Sequence, residues 1–189
     1  MRKIRIFEHV SLDGVIEHGE GYSHGEWTAP YRSPAGRAAV IEAHGTGFDL
    51  LLGRRTYDIW AGFWPRAGNI PLADALNAAT KYVATHRPDS LEWGPVEDLG
   101  EDVMEGIRGL KSTDGPDLVV SGSSTLTSVL LGEGLVDEVV LIVYPILLGR
   151  GKRFFSDGAG PRELALVSTK ATPTGVLMNT YRHVGALRT

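Results

Sequence analysis

Cysteine is absent from the 189 residues, and with it go disulfides, thiolate nucleophiles, cysteine-ligated zinc and iron–sulfur clusters. Long apolar runs are absent as well. None approaches the roughly 18 residues of a membrane-spanning helix, so no membrane partner is expected. Excess charge of one sign is also lacking: 19 Lys+Arg stand against 23 Asp+Glu, a formal net charge of -4. That balance offers no global attraction for nucleic acid, and any bound anion must be held by a local site. The segment MRKIRIFEHV alternates apolar and polar residues where a leader would need an apolar block. It reads as a strand, and a cytoplasmic location is expected. His9, His18, His24, His44, His86 and His183 show no metal-ligand spacing. His18 and His24 share one acidic loop, but no metal is expected.

What is present suffices for one core. At 42% apolar residues the chain is too hydrophobic for disorder, and its length suits a single domain over residues 1–189. Patterning predicts strands over residues 3–10, 48–52, 81–85, 117–121 and 138–144. In the first, Ile4, Ile6 and Glu8 face one way, and Arg5, Phe7 and His9 the other. Ser33-Pro34, an N-cap followed by a first-turn proline, opens a helix that stops at Gly45 or Gly47. Further helices are predicted over 56–60, 70–79, 99–110 and 125–131; Leu99, Val103, Ile107 and Leu110 recur at helical spacing. Two C-terminal strands, 163–169 and 175–183, pair through a turn at Pro173-Thr174-Gly175. Strand–helix alternation followed by two adjacent strands means α/β: a mostly parallel sheet with an antiparallel edge. Residues 11–27 form a loop too long for a plain connector, read as a lid hinged on Gly14, Gly19, Gly21 and Gly25.

Two junctions share one design, an apolar strand running through glycine and polar residues into a helix. Free backbone N–H groups at such a helix start attract anions. In LLLGRRTYD, Gly53 permits close approach, Arg54 and Arg55 supply charge and Thr56 a hydroxyl. In VVSGSSTLTS, Gly122 precedes Ser123, Ser124 and Thr125. Each is also readable as an ordinary capped turn, and neither has the G-x-G-x-x-G or G-K-[ST] spacing. Together they favour a phosphate-bearing ligand across the strand ends.

In this order, SLDGVI, LLLGRRTYD, KYVATH, LVVSGSSTL and YPILLGRGKRFF resemble the dihydrofolate reductase-like superfamily. The nearest branch is the reductase domain of the bifunctional riboflavin-biosynthesis deaminase–reductase with its stand-alone relatives. The resemblance implies a three-layer α/β/α fold with an eight-stranded mixed sheet, NADPH as hydride donor, a small-molecule substrate and a homodimer. It assigns Gly53, Arg54 and Thr56, with Arg55 beside them, to the 2′-phosphate and pyrophosphate, and Thr85, His86 and Arg87 to the adenosine border. Ser121, Gly122, Ser123, Ser124, Thr125 and Leu126 match the pyrophosphate turn.

The nicotinamide is expected between the 10–16 loop and that turn, with Val10 and Ile16 beside it. Tyr57, Trp60, Tyr144 and Pro145 are candidates for the substrate side, Tyr57 as cleft wall and Trp60 more as core. The helix acid that anchors pterin in dihydrofolate reductases has no match at Gly36-Arg37-Ala38; the nearest acid is Glu42. That leaves Asp13 to relay or position a proton, or to bond loop amides as an Asx-turn. The expected activity is NADPH-dependent reduction of a pterin-like or riboflavin-precursor-like compound. The rival is a non-catalytic nucleotide-binding or structural dimer.

Overall fold

The computed structural model describes residues 1–17, 26–68, 70–155 and 160–187. The chain runs β1 (Ile4–Ser11), β2 (Val15–Glu17), a 3-10 turn (Glu26–Tyr31), α1 (Pro34–His44), β3 (Phe48–Gly53), α2 (Arg54–Phe63) and α3 (Pro71–Ala78). It continues with β4 (Lys81–Ala84), β5 (Val96–Glu97), α4 (Val103–Ser112), β6 (Asp117–Val120) and α5 (Ser124–Gly132). The last elements are β7 (Glu138–Tyr144), β8 (Lys152–Arg153), β9 (Arg162–Ala171) and β10 (Leu177–Ala186). Eight strands form one sheet in the order β5-β4-β3-β6-β1-β7-β10-β9, and β2 pairs with β8 in a second, two-stranded sheet. The large sheet is parallel from β5 to β7 and antiparallel through β10 and β9.

Period-two alternation sends each central strand into two cores. Phe7, Leu50, Leu52, Val140 and Ile142 meet Ala39 of α1, Tyr57 of α2 and Leu76 of α3 on one face. Ile4, Ile6, Leu51, Leu118 and Val139 meet Ile107 of α4 and Leu126 and Leu130 of α5 on the other. Three layers follow. Among the described residues no helix is long and apolar enough to cross a membrane.

Caps set the helix boundaries. Ser33 Oγ accepts from the Gly36 N–H at 3.0 Å, and α1 ends at Gly45. The helix predicted over 99–110 begins only at Val103, because Asp102 Oδ1 accepts from the Met104 and Glu105 N–H groups, each at 3.0 Å. Leu99 lies before the cap yet is buried in the same cluster as Ile107; apolar spacing alone does not distinguish a helical residue from one that folds back onto the helix.

The lid expected over residues 11–27 is, in its first part, a fixed strap. Val15 and Glu17 pair with Arg153 and Lys152, the Phe154 N–H donates to the Gly14 carbonyl at 2.9 Å, and the Arg153 guanidinium donates to the Asp13 carbonyl. Residues 18–25 of that stretch, with Gly19, Gly21, Gly25, His18 and His24, lie outside the described residues.

Candidate functional site

Because β3 and β6 are parallel neighbours, both glycine junctions open at the same end of the sheet, beyond the C-termini of the strands. There they lock together. Ser123 Oγ accepts from the Gly53 N–H at 2.8 Å, and Thr56 Oγ1 accepts from the Ser123 N–H at 3.0 Å and lies 3.1 Å from Ser123 Oγ. The approach demands glycine. A Cβ on Gly122 would stand 2.9 Å from Thr56 Oγ1, and one on Gly53 3.3 Å from Ser123 Oγ. Gly122 and Ser123 take successive left-handed conformations, φ 57 and 47, and Ser123 is the one non-glycine described residue with positive φ. Such strain is held only where the surroundings enforce it.

The α2 N-cap, Gly53, has no side chain, and the α5 N-cap, Ser123, turns its hydroxyl to Gly53 and Thr56, so both helices start without a side-chain cap among the described residues; α3 also lacks one, whereas α1 and α4 are capped. The first-turn N–H groups of α2 and α5 border a cleft of about 610 Å³ lined by Gly53, Arg54, Arg55, Thr56, Gly122, Ser123, Thr125 and Leu126. That volume lies in the usual range of small-molecule sites. Thr85 and His86 beyond β4, Ile16 and Glu17 on β2, Glu8 on β1 and Lys152 on β8 also line it.

The arginines are positioned by the chain itself. Arg54 Nε donates to Asp58 at 2.8 Å, and its Nη1 donates to Ser90 Oγ at 2.7 Å and to the Arg87 carbonyl at 3.1 Å. Arg55 pairs with Glu17 across the cleft mouth.

Several expected residues stand elsewhere. Tyr57 is core, not cleft wall: it is 2% exposed, and its hydroxyl oxygen accepts from the Trp93 N–H at 2.6 Å. Trp60, expected as core, packs against that core and also lines the cleft. The face α2 buries is set by its packing on the core, which takes Tyr57 fully and Trp60 in part. Val10 is buried on β1 in the core beside α4 and α5, Ser121 is buried at the end of β6, and Arg87 contributes only its carbonyl to Arg54. Ser124 faces a second groove with Ser128 and Lys152.

Asp13 takes the second of its two expected roles and bonds loop amides. Its carboxylate accepts from the Ser11 hydroxyl at 2.6 Å, the Leu148 N–H at 3.1 Å and the Gly149 N–H at 2.7 Å. Those bonds, Ser11's first, hold it down at about 2, so it carries no proton near neutrality. It ties the strap to the 148–149 turn.

Tyr144 lies on the opposite sheet face, in an aromatic cluster. Its ring meets Trp27 at 5.1 Å and Tyr31 at 5.7 Å, and its hydroxyl is 2.8 Å from His9 Nδ1. Burial pushes Tyr144 up to about 12 and His9 down to about 4, with His44 and Arg32 adding to the latter. Both are therefore neutral at neutral pH. The Pro145 carbonyl accepts from the Tyr31 hydroxyl at 3.4 Å beside them.

Glu8 is the site residue that motif reading missed. The signal was an acid in the strand row occupied by Ile4 and Ile6. Burial pushes it up to about 8, against the opposing pull of the His9 and Gly122 N–H groups and Lys152. Among the described residues no group of three or more His, Asp or Glu could hold a metal ion.

The arrangement has known counterparts. The uncharacterized protein YwjB of Bacillus subtilis (strain 168) is 27% identical over 181 residues, spanning 96% of this chain and 98% of that protein. The diaminohydroxyphosphoribosylaminopyrimidine deaminase/5-amino-6-(5-phosphoribosylamino)uracil reductase of Thermotoga maritima superposes with a TM-score of 0.66 at 18% identity, over 97% of this chain and 57% of that one. Dihydrofolate reductase from Enterococcus faecalis, complexed with NADP(H) and RAB-propyl, superposes with a TM-score of 0.60 at 18% identity over 96% of each chain. At such identities these structures share the fold. The family model of the RibD C-terminal domain matches residues 2–178, and the chain accordingly belongs to the RibD C-terminal domain family.

Proposed function

We propose that the chain is an NADPH-dependent oxidoreductase that reduces a small heterocyclic or carbonyl compound, pterin-like or riboflavin-precursor-like, as a cytoplasmic homodimer. One observation carries this reading: two helix starts without side-chain caps converge on one cleft at the strand ends, the arrangement that receives a pyrophosphate. The reductase named in the Thermotoga chain and the NADP(H) bound to the Enterococcus one support it.

The first-turn N–H groups of α2 and α5 take the pyrophosphate. Arg54 and Arg55, with Thr85, His86 and Arg87, form the 2′-phosphate and adenosine end, and Ile16, Trp60 and Leu126 supply apolar walls. NADPH supplies the hydride when bound, while the chain orients it and excludes water. On the other face of β1, Tyr31 and Pro145, backed by the buried Tyr144 and Trp27, offer apolar surface to a planar substrate, beside a neutral His9 able to donate or accept one hydrogen bond.

One observation favours the non-catalytic alternative. Glu42, the acid nearest the pterin-anchoring position, is exposed and accepts from Lys170 Nζ at 2.7 Å. NADPH oxidation assayed across pterins, flavin precursors and small carbonyl compounds separates the two readings. Cofactor choice is tested by titrating both nucleotides. An arginine at the extra phosphate is worth roughly 1.5–3 kcal/mol, about ten- to a hundredfold. Arg54→Ala is therefore expected to weaken NADPH by about that factor and NADH little. Equal affinities in both proteins would refute the assignment.

A further inference from the structure

The roles assigned above leave one buried acid in the cleft without a function. Glu8 is 7% exposed, in the row of Ile4, Ile6 and Val10. Its Oε1 accepts from the His9 N–H at 3.0 Å, and the nearby Gly122 N–H pulls its pKa down against the larger effect of burial. Oε2 has no partner among the described residues. An unpaired polar atom at that depth is costly, and such atoms in native folds call for a functional account.

Topology fixes the placement. The β6 register with β1 ends where Ile6 meets Val120. The chain therefore leaves the sheet beside Glu8, and Gly122 and Ser123 turn over its carboxyl before α5 begins. The charged groups that share the cleft are Lys152 on β8, Glu17 on β2, Arg54 and Arg55 on α2, and His86 beyond β4. Arg54 is committed to Asp58 and Arg55 to Glu17, so neither neutralises Glu8. Ionised, Glu8 would set a buried negative charge beneath helix starts that attract anions. Protonated, it offers an O–H donor there instead.

We propose that Glu8 is a ligand-contacting residue that works as the protonated acid, donating a hydrogen bond to the bound dinucleotide and keeping negative charge away from its phosphates. This rests on the NADPH reading above. Burial holds the group protonated up to about pH 8; beyond that, nucleotide binding must draw a proton from solution, and affinity falls tenfold per pH unit.

The test is NADPH affinity by fluorescence titration from about pH 7.5 to 9.5. Wild type is expected to hold its affinity to about pH 8 and then lose about tenfold per unit, while Glu8→Gln gives a flat profile. Calorimetry of wild type at about pH 9, in two buffers of different ionisation enthalpy, is expected to show uptake of close to one proton per NADPH. This second measurement needs no variant. A flat wild-type profile without proton uptake, or an equal slope in Glu8→Gln, overturns the Glu8 inference and leaves the cofactor reading standing. Absence of NADPH binding by wild type at pH 7.5 overturns both.

Discussion

Replacing Gly122 by alanine isolates the contact on which the cleft is built. Two costs add. An L-residue at φ 57 pays roughly 1–2 kcal/mol for the left-handed conformation. Its Cβ would also stand 2.9 Å from Thr56 Oγ1, so the hydroxyl must move and give up the bond from the Ser123 N–H, at roughly 0.5–1.5 kcal/mol. The sum is about 1.5–3.5 kcal/mol, or roughly 3–14 °C in Tm for a domain of this size. The attribution is checked by a double-mutant cycle with Thr56→Ala, which removes both the obstructing hydroxyl and the bond. In that background Gly122→Ala is expected to cost only its backbone share, leaving a coupling of about 1 kcal/mol. Urea denaturation of the four proteins, with unchanged m-values, supplies the numbers. Equal costs in both backgrounds would refute the steric account, and a cost near zero would refute the backbone one as well.

Three further outcomes are expected. Glu8 carries a folded-state value raised from 4.5 to about 8, so its contribution to stability is fully present below about pH 4.5 and is lost as pH rises to about 8. That loss amounts to as much as about 5 kcal/mol, and urea midpoints of Glu8→Gln across pH 5–8 should lack it. Asp13 is lowered from 3.8 to about 2; its contribution is present above pH 3.8 and is lost as pH falls towards 2. Thermal melts should show that acid-dependent loss in wild type and not in Asp13→Asn, which starts from a lower Tm at neutral pH. Asp102→Ala removes the α4 cap bonds and should cost about 1 kcal/mol by chemical denaturation.

Much of the fold was legible because local chemistry and tertiary packing agreed. Ser33-Pro34 and Gly45 delimit α1 as their residue types require, and the β-branched run Glu138–Tyr144 forms β7 over those same residues. Legibility failed where partners are distant in sequence. The strap of Val15–Glu17 on Lys152–Arg153 involves too few residues to carry a period, so an ordered segment reads as open loop. Motifs located both glycine junctions and most of the cleft lining. They could not reveal that the Thr56 and Ser123 hydroxyls bond to each other across the two junctions. Nor could they separate Tyr57 from Trp60, since three residues along a helix decide core or cleft only once its packing face is known. Glu8 was visible as an acid in an apolar row, but its unpaired oxygen exists only where Gly122 crosses above it.

The bonds that lock the two junctions join residues 67 and 70 positions apart in the chain. They close only after β3 and β6 have found each other across the sheet, and no local fragment contains both halves. An unfolded or half-folded chain therefore has no competent version of this site, and a ligand that spans both helix starts binds the native state alone. Such a ligand stabilises the fold by RT ln(1 + [L]/Kd), about 2.7 kcal/mol at a hundredfold excess over Kd. Resistance to unfolding in the cell would then track the local supply of that ligand, and the same interlock that shapes the cleft would couple the lifetime of the protein to the abundance of what it binds.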